Sequence, residues 1–263
     1  MSNPSVCAVM LTADRPELAR QAVECFRRQT YDPIRRTLLI FDSGNDTDWY
    51  DSRCDFENEF HAIIDTQGMR QRSIGTLRNE ANEYAGGQVL IHWDSDDLSH
   101  PNRIAEQVAL LQSSGADVVG YNRMLFADCR VFGFDSDKMS VVDEDEDSIS
   151  IGTGNLINTP EAWIYTGEIL GTSLAYWRKT WERTPFSANH VLNEDGGFVS
   201  EVRGKGGKVV AEDSVRMANA QPRMIARIHQ GNANNPAYRT LETHPNHWQR
   251  VPQWDSYCRK EMR

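Results

Sequence analysis

Asp94-Ser95-Asp96-Asp97 sets three carboxylates within four residues. Like charges this close raise one another's proton affinity unless protons or a cation neutralise them, and a hard divalent ion with oxygen ligands is the usual partner. The group reads as a Mg²⁺ or Mn²⁺ site holding a phosphate-bearing substrate. The competing reading is a solvated acidic turn in which Asp97 or Ser99 caps a helix beginning near Pro101. A calcium loop fits poorly: counted from Asp94, the sharp-turn position is Ser99 rather than Gly, and the bidentate position is Ala105 rather than Glu.

Other residues able to do chemistry are spread along the chain. Asp42 follows an apolar run and opens Asp42-Ser43-Gly44, which is either a ligand position or a side-chain-capped turn. Arg72 and Arg78 suit diphosphate oxygens, or pair with surface carboxylates. Glu194 and Asp195 fall at the amino end of an expected helix, where the backbone dipole favours a carboxylate and simple capping is the alternative. His229 leaves a strand and suits an octahedral metal shell otherwise made of oxygens. The run from Gly204 to Lys208 lacks the spacing of a phosphate loop and has no Ser or Thr after the Lys. Asp143 to Asp147 is a solvated acidic run with no assigned chemistry.

Elements must carry these residues to one place. Val6–Leu11 predicts a buried strand, with a helix from Pro16 to about Gln29. Thr37–Phe41 follows as a second strand, and the β-α-β order implies a parallel pair that delivers Asp42 to the same edge as the Asp94 group. A helix over 51–60, a strand over 61–65 and a helix over 74–84 precede the strand beginning at Val89. Ligands of open α/β sheets bind beyond the carboxyl ends of strands. Downstream, the spacing predicts a helix up to Ser113, a strand over 117–121, and extended pieces over 123–126 and 130–134 forming a hairpin about Ala127-Asp128-Cys129. The segment 167–176 reads as an acceptor-facing loop, 177–183 as a short helix, 208–211 as a strand and 223–229 as the last strand.

Composition bounds the rest. The 263 residues fit one large α/β domain, and 28 basic against 38 acidic residues give a net charge of -10, which opposes nonspecific attraction to nucleic acid or anionic membranes. Five cysteines with no close pair indicate neither a zinc knuckle nor a disulfide framework. No segment approaches a membrane span, and a cytoplasmic location is the expectation.

Taken together, Met10-Leu11-Thr12-Ala13-Asp14-Arg15-Pro16, Phe41-Asp42-Ser43-Gly44, Arg78-Asn79, Asp94-Ser95-Asp96-Asp97, Gly171-Thr172-Ser173, Asn193-Glu194-Asp195 and His229 with Gly231-Asn232 resemble the family 2 glycosyltransferases of the GT-A fold. The resemblance implies a Rossmann-like, mostly parallel central sheet flanked by helices. It implies a domain over residues 1–235, with a nucleotide-sugar half (1–121), an acceptor half (122–235) and a C-terminal tail (236–263). Thr12 and Arg15 would line the nucleotide pocket, Asp42 would accept from a uracil imide, and Arg78 would lie beside the donor phosphates. Asp94 and Asp96 match the Asp-x-Asp motif, with Asp94 and Ser95 near the donor and Asp94, Asp96 and His229 on Mn²⁺ or Mg²⁺. Asp195 matches the general base of inverting members, with Glu194 beside it. Ala13-Asp14 departs from the Tyr-Asn often found there, and Gly196-Gly197 departs from the bulky residue that often follows Glu-Asp.

The implied function is metal-dependent, inverting transfer of a hexose-type sugar from a nucleotide-diphosphate donor, with a UDP-sugar expected, to an acceptor hydroxyl on a glycan or a lipid-linked sugar. Modified DNA is a further acceptor if Arg216, Arg223, Arg227 and Arg239 form one basic surface. Trp163, Trp177, Trp181 and Phe186 either stack on an acceptor or belong to the core. A nucleotidyltransferase is the first alternative, set back by the lack of a Gly-rich, Lys-containing loop at the first strand. A nonenzymatic sugar-nucleotide or polysaccharide binder is the second.

Overall fold

The computed structural model describes residues 3–45, 60–64, 72–129, 160–188, 193–215, 221–229 and 246–261. The expected helix over 51–60, the segment 130–134, the acidic run and Gly231-Asn232 lie outside these residues, apart from Phe60, which begins a strand.

The amino-terminal elements are β1 (Val6–Thr12), α1 (Pro16–Arg27), β2 (Arg36–Asp42), β3 (Phe60–Ile64), α2 (Ile74–Tyr84) and β4 (Val89–His92). β1 lies between β2 and β4, and β2 between β1 and β3, all parallel. Strands covered on both faces read as unbroken apolar runs, and β1 shows why. Val6, Ala8 and Met10 pack with Ala22 and Phe26 of α1, whereas Cys7 and Val9 pack with Leu77 and Ala81 of α2. Pro16 starts α1 at a position where its missing N–H costs no hydrogen bond.

The chain continues through β5 (Leu98–Ser99), α3 (Arg103–Ser114), β6 (Val118–Asp128), β7 (Glu161–Thr166), β8 (Ala175–Trp177), α4 (Arg178–Arg183), α5 (Glu194–Gly204), β9 (Val209–Asp213), β10 (Met224–Ile228), β11 (Trp248–Arg250) and α6 (Asp255–Glu261). β8 runs antiparallel between β4 and β6, and so joins the two halves of one mixed sheet. α3 covers the face shared with α1 through Ile104, Val108 and Leu111. α5 covers the opposite face through Phe198, Val199 and Val202, one stripe of an amphipathic helix.

Two expectations are corrected. Ala127 and Asp128 form no hairpin turn; they continue β6, which pairs antiparallel with β7 from Arg123 to Asp128. Asp97 and Ser99 do not cap α3, whose N-cap is Asn102 with no side-chain cap bond. From 248 onward the expected tail supplies β11 at the outer edge of the sheet, beside β7, and buries Val251 and Cys258 against it. No helix among the described residues is long and apolar enough to cross a membrane.

Candidate active site

Parallel pairing puts the carboxyl ends of β1, β2 and β4 at one edge, with Thr12 in register with Asp42. Thr12, Arg15 and Ser43 form one wall of a cavity there; Asp94, Ser95, Asp96 and Asp97 form its floor. Asp42 is buried behind Ser43, and its Oδ1 accepts from the Gly44 N–H at 2.8 Å, as a capped turn would have it. Arg72 does not line the cavity and pairs with Glu80.

The carboxylate turn closes with Asp97 N–H donating to Asp94 O at 3.3 Å. One oxygen from each of Asp94, Asp96 and Asp97 lies within 4.8 Å of the others. β10 pairs with β5 and β6 and completes this group from far along the chain. Asp97 Oδ1 accepts from the Arg227 N–H at 3.2 Å, and Asp96 Oδ2 accepts from His229 Nε2 at 3.0 Å and from Arg15 Nη1 at 2.8 Å. Burial would raise the Asp96 pKa, but the His229 hydrogen bond and the Arg15 charge outweigh it and hold it below the usual carboxylate value. Asp97 goes the other way: burial, then repulsion from Asp96 and Asp94, pushes it well above.

The opposite wall comes from α5. Asn193, in a left-handed conformation (φ 65°), turns the chain into the helix, so that Glu194 and Asp195 occupy its first turn and face the cavity. Arg78 of α2 ties this wall to the floor, with Nε donating to Glu194 Oε1 at 3.1 Å and Nη2 reaching Asp94 Oδ1 at 3.5 Å. Among the described residues its Nη1 is buried without a partner. Burial disfavours the guanidinium charge, yet Asp94, Glu194 and Asp195 more than compensate and raise its pKa. Asp195 is raised by burial and by Glu194, against the opposing pull of Arg78.

Between floor and wall lies the turn Gly171-Thr172-Ser173. Thr172 Oγ1 donates to Asp97 Oδ2. Beneath it His92 is fully buried, and burial, with the charge of Arg78, keeps its pKa well below the ordinary histidine value. The neutral ring then has one tautomer that satisfies both neighbours: Nδ1–H donates to Gly171 O at 2.7 Å, and Nε2 accepts from the Tyr176 hydroxyl at 3.3 Å. Sequence reading singled out neither His92 nor Arg103 as a site residue, although Arg103 is fully buried and donates to both His92 O and Thr172 O.

Two points left open by the sequence bear on the acceptor. Arg223 and Arg227 make no basic surface: both are buried, Arg223 on Glu106 and Arg227 on Gln21, while Arg216 and Arg239 lie outside the described residues. Trp163, Trp181 and Phe186 are buried in the core, and Trp177 packs against it.

The sheet order and the acidic edge define a GT-A glycosyltransferase fold, which solved structures share. A mannosyltransferase from Pyrobaculum calidifontis, determined with GDP-Man and Mn²⁺, superposes with a TM-score of 0.60 at 13% identity over 98% of this chain and 69% of that one. S. aureus TarS 1-349 with UDP-GlcNAc gives 0.58 at 12% identity over 91% and 63%. The model of the family described as Glycosyl transferase family 2 matches residues 7–173, and the chain belongs to that family. A glycosyltransferase from Methanocaldococcus jannaschii is 24% identical over 115 residues, which is 43% of this chain and 39% of the relative, so the chain matches about two fifths of that relative's length.

Proposed function

We propose that this protein is a metal-dependent, inverting glycosyltransferase that moves a sugar from a nucleotide-diphosphate donor, a UDP-sugar in the first instance, to an acceptor hydroxyl. The observation that carries the reading is the joining of Asp94 and Glu194 by one buried guanidinium, Arg78, across a single cavity. A floor of carboxylates and a wall bearing a second carboxylate pair are what single displacement needs on either side of a sugar.

The donor set fits a hard divalent ion, because three carboxylates converge where burial, and then their mutual repulsion, raises Asp97. Asp94 and Asp96 would hold the ion with His229 beside Asp96, and a bound Mn²⁺ or Mg²⁺ stabilises negative charge on a leaving diphosphate. Arg78 offers its unpartnered Nη1 to a donor oxygen, and Arg15 is placed for another. Asp195 takes the acceptor proton as the hydroxyl attacks, and its raised pKa makes it a stronger base than a solvated carboxylate. Glycans and lipid-linked sugars are the acceptor classes favoured, since burial of Arg223 and Arg227 takes two of the four arginines away from a DNA-binding surface.

Asp195→Asn tests the reading. With donor held at saturation, transfer should fall by about 10² to 10⁴ while donor affinity stays unchanged. In the unaltered protein the rate should drop as pH falls through a value above the ordinary carboxylate range, because protonated Asp195 cannot accept a proton. Retention of anomeric configuration in the product, read by NMR coupling, would exclude single displacement.

A further inference from the structure

Gly171 touches Asp195 in a way no larger residue permits. A Cβ at position 171 would overlap Oδ2 and Cγ of Asp195 and lie 2.6 Å from its Cβ. Rotating the Asp195 side chain does not relieve the last contact, since that atom is fixed by the backbone of α5. Gly171 has no positive φ, so the position needs glycine for space rather than for conformation.

The turn that offers this bare surface is itself fastened. His92 Nδ1 donates to Gly171 O at 2.7 Å, Arg103 Nη2 to Thr172 O at 3.0 Å and Gln107 Nε2 to Ser173 O at 2.6 Å. Three successive carbonyls are thus each held by a buried side chain, one from β4 and two from α3. Arg103 also donates to His92 O at 2.7 Å, which locks the donors to the strand that carries the Asp94 group. Backbone carbonyls buried away from water need partners, but a turn could supply them from its own amides. Here Gly171 O does accept from the Leu174 N–H at 3.1 Å, and each of the three carbonyls has in addition a side-chain donor from an element that flanks the Asp94 group.

We propose that Gly171 is the seat of the Asp195 carboxylate, and that His92, Arg103 and Gln107 are positioning residues that set the distance between that seat and the carboxylate turn. The proposal rests on the reading of Asp195 as the general base. Positioning of this kind matters because a displacement of about 1 Å in a reacting group can cost on the order of 10²-fold in rate.

A thermal cycle tests the seat without any substrate. Gly171→Ala should lower Tm by about 5 °C through overpacking. Gly171→Ala combined with Asp195→Gly should melt within a degree or two of Asp195→Gly alone, because removing that side chain makes room for the new methyl. Equal losses in both backgrounds would overturn the seat. If Gly171→Ala does not fold, a folded double variant supports the proposal and an unfolded one overturns it.

Positioning is tested by nucleoside diphosphate release from UDP-GlcNAc and GDP-mannose with Mn²⁺, water serving as acceptor. His92→Phe and Gln107→Leu should each lower kcat about tenfold with KM changed less than twofold. In an Asp195→Asn background they should have no further effect on rate, whereas general structural damage would. Unchanged kcat in both single variants overturns the positioning role. Full activity in Asp195→Asn defeats the base reading instead, and if neither donor is turned over that reading fails for these donors; the thermal cycle then judges the seat alone.

Discussion

At the scale of single residues, Asp96 carries most of the charge logic of the floor. One of its oxygens receives both Arg15 and His229, so the carboxylate stays ionised although it is buried. Asp96→Ala should abolish Mn²⁺-dependent binding of UDP in calorimetric titrations, and His229→Ala should weaken it about tenfold; unchanged isotherms for both would remove the metal from this site. Asp42→Ala should weaken UDP binding while the protein stays folded, whereas equal UDP affinity would leave Asp42 as a turn residue. Asp94, Asp96, Asp195 and His229 stood out in the sequence as candidates at strand and helix ends, and the structure sets the three carboxylates on one cavity with His229 against Asp96. His92, Arg103 and Gln107 were not legible as partners of the 171–173 turn. Their targets are main-chain carbonyls 66 to 79 residues away, and no local spacing encodes such a bond.

Among the elements, those with strong local signals matched their sequence reading. β1, β2 and β4 are apolar runs covered on both faces, and α1 begins at Pro16 as expected. α3 ends at Gly115, whose φ of 63° is the left-handed cap that a glycine makes without steric cost. Gly115→Ala should cost about 1 kcal/mol in urea unfolding and leave turnover unchanged, since a Cβ there meets nothing within 4 Å and only the backbone is strained. The short strands escaped notice for a physical reason. β5 has two residues and β11 three, so each is defined by its partner rather than by its own composition. β6 was read in pieces because its eleven residues carry polar Asn122 and Arg123 midway, beside the irregular pairing with β9 between Tyr121 and Arg123.

For the molecule as a whole, the segment after residue 246 is structural. Arg250 pairs with Asp255 at 2.6 Å, Asp255 accepts from the Ala162 N–H at 2.9 Å, and Val251 and Cys258 close the cluster that contains Ala162 and Ile164. Deleting residues 246–263 should lower stability to urea unfolding by at least the burial of Val251, about 1.5–3 kcal/mol, and an unchanged midpoint would show that β7 needs no outer neighbour. The wider architecture also has an order in time. β6 is flanked by β7 and β8 on one side and by β9 and β10 on the other, and all four follow it in the chain. A ribosome therefore delivers the longest strand of the sheet before any strand it pairs with, and its last neighbour is complete only when Ile228 has been added. At about 5–20 residues per second, the wait from Asp128 to Ile228 is roughly 5 to 20 s. For that interval the nascent chain carries an apolar strand with at least one bare hydrogen-bonding edge, which makes it a natural client for a ribosome-associated chaperone.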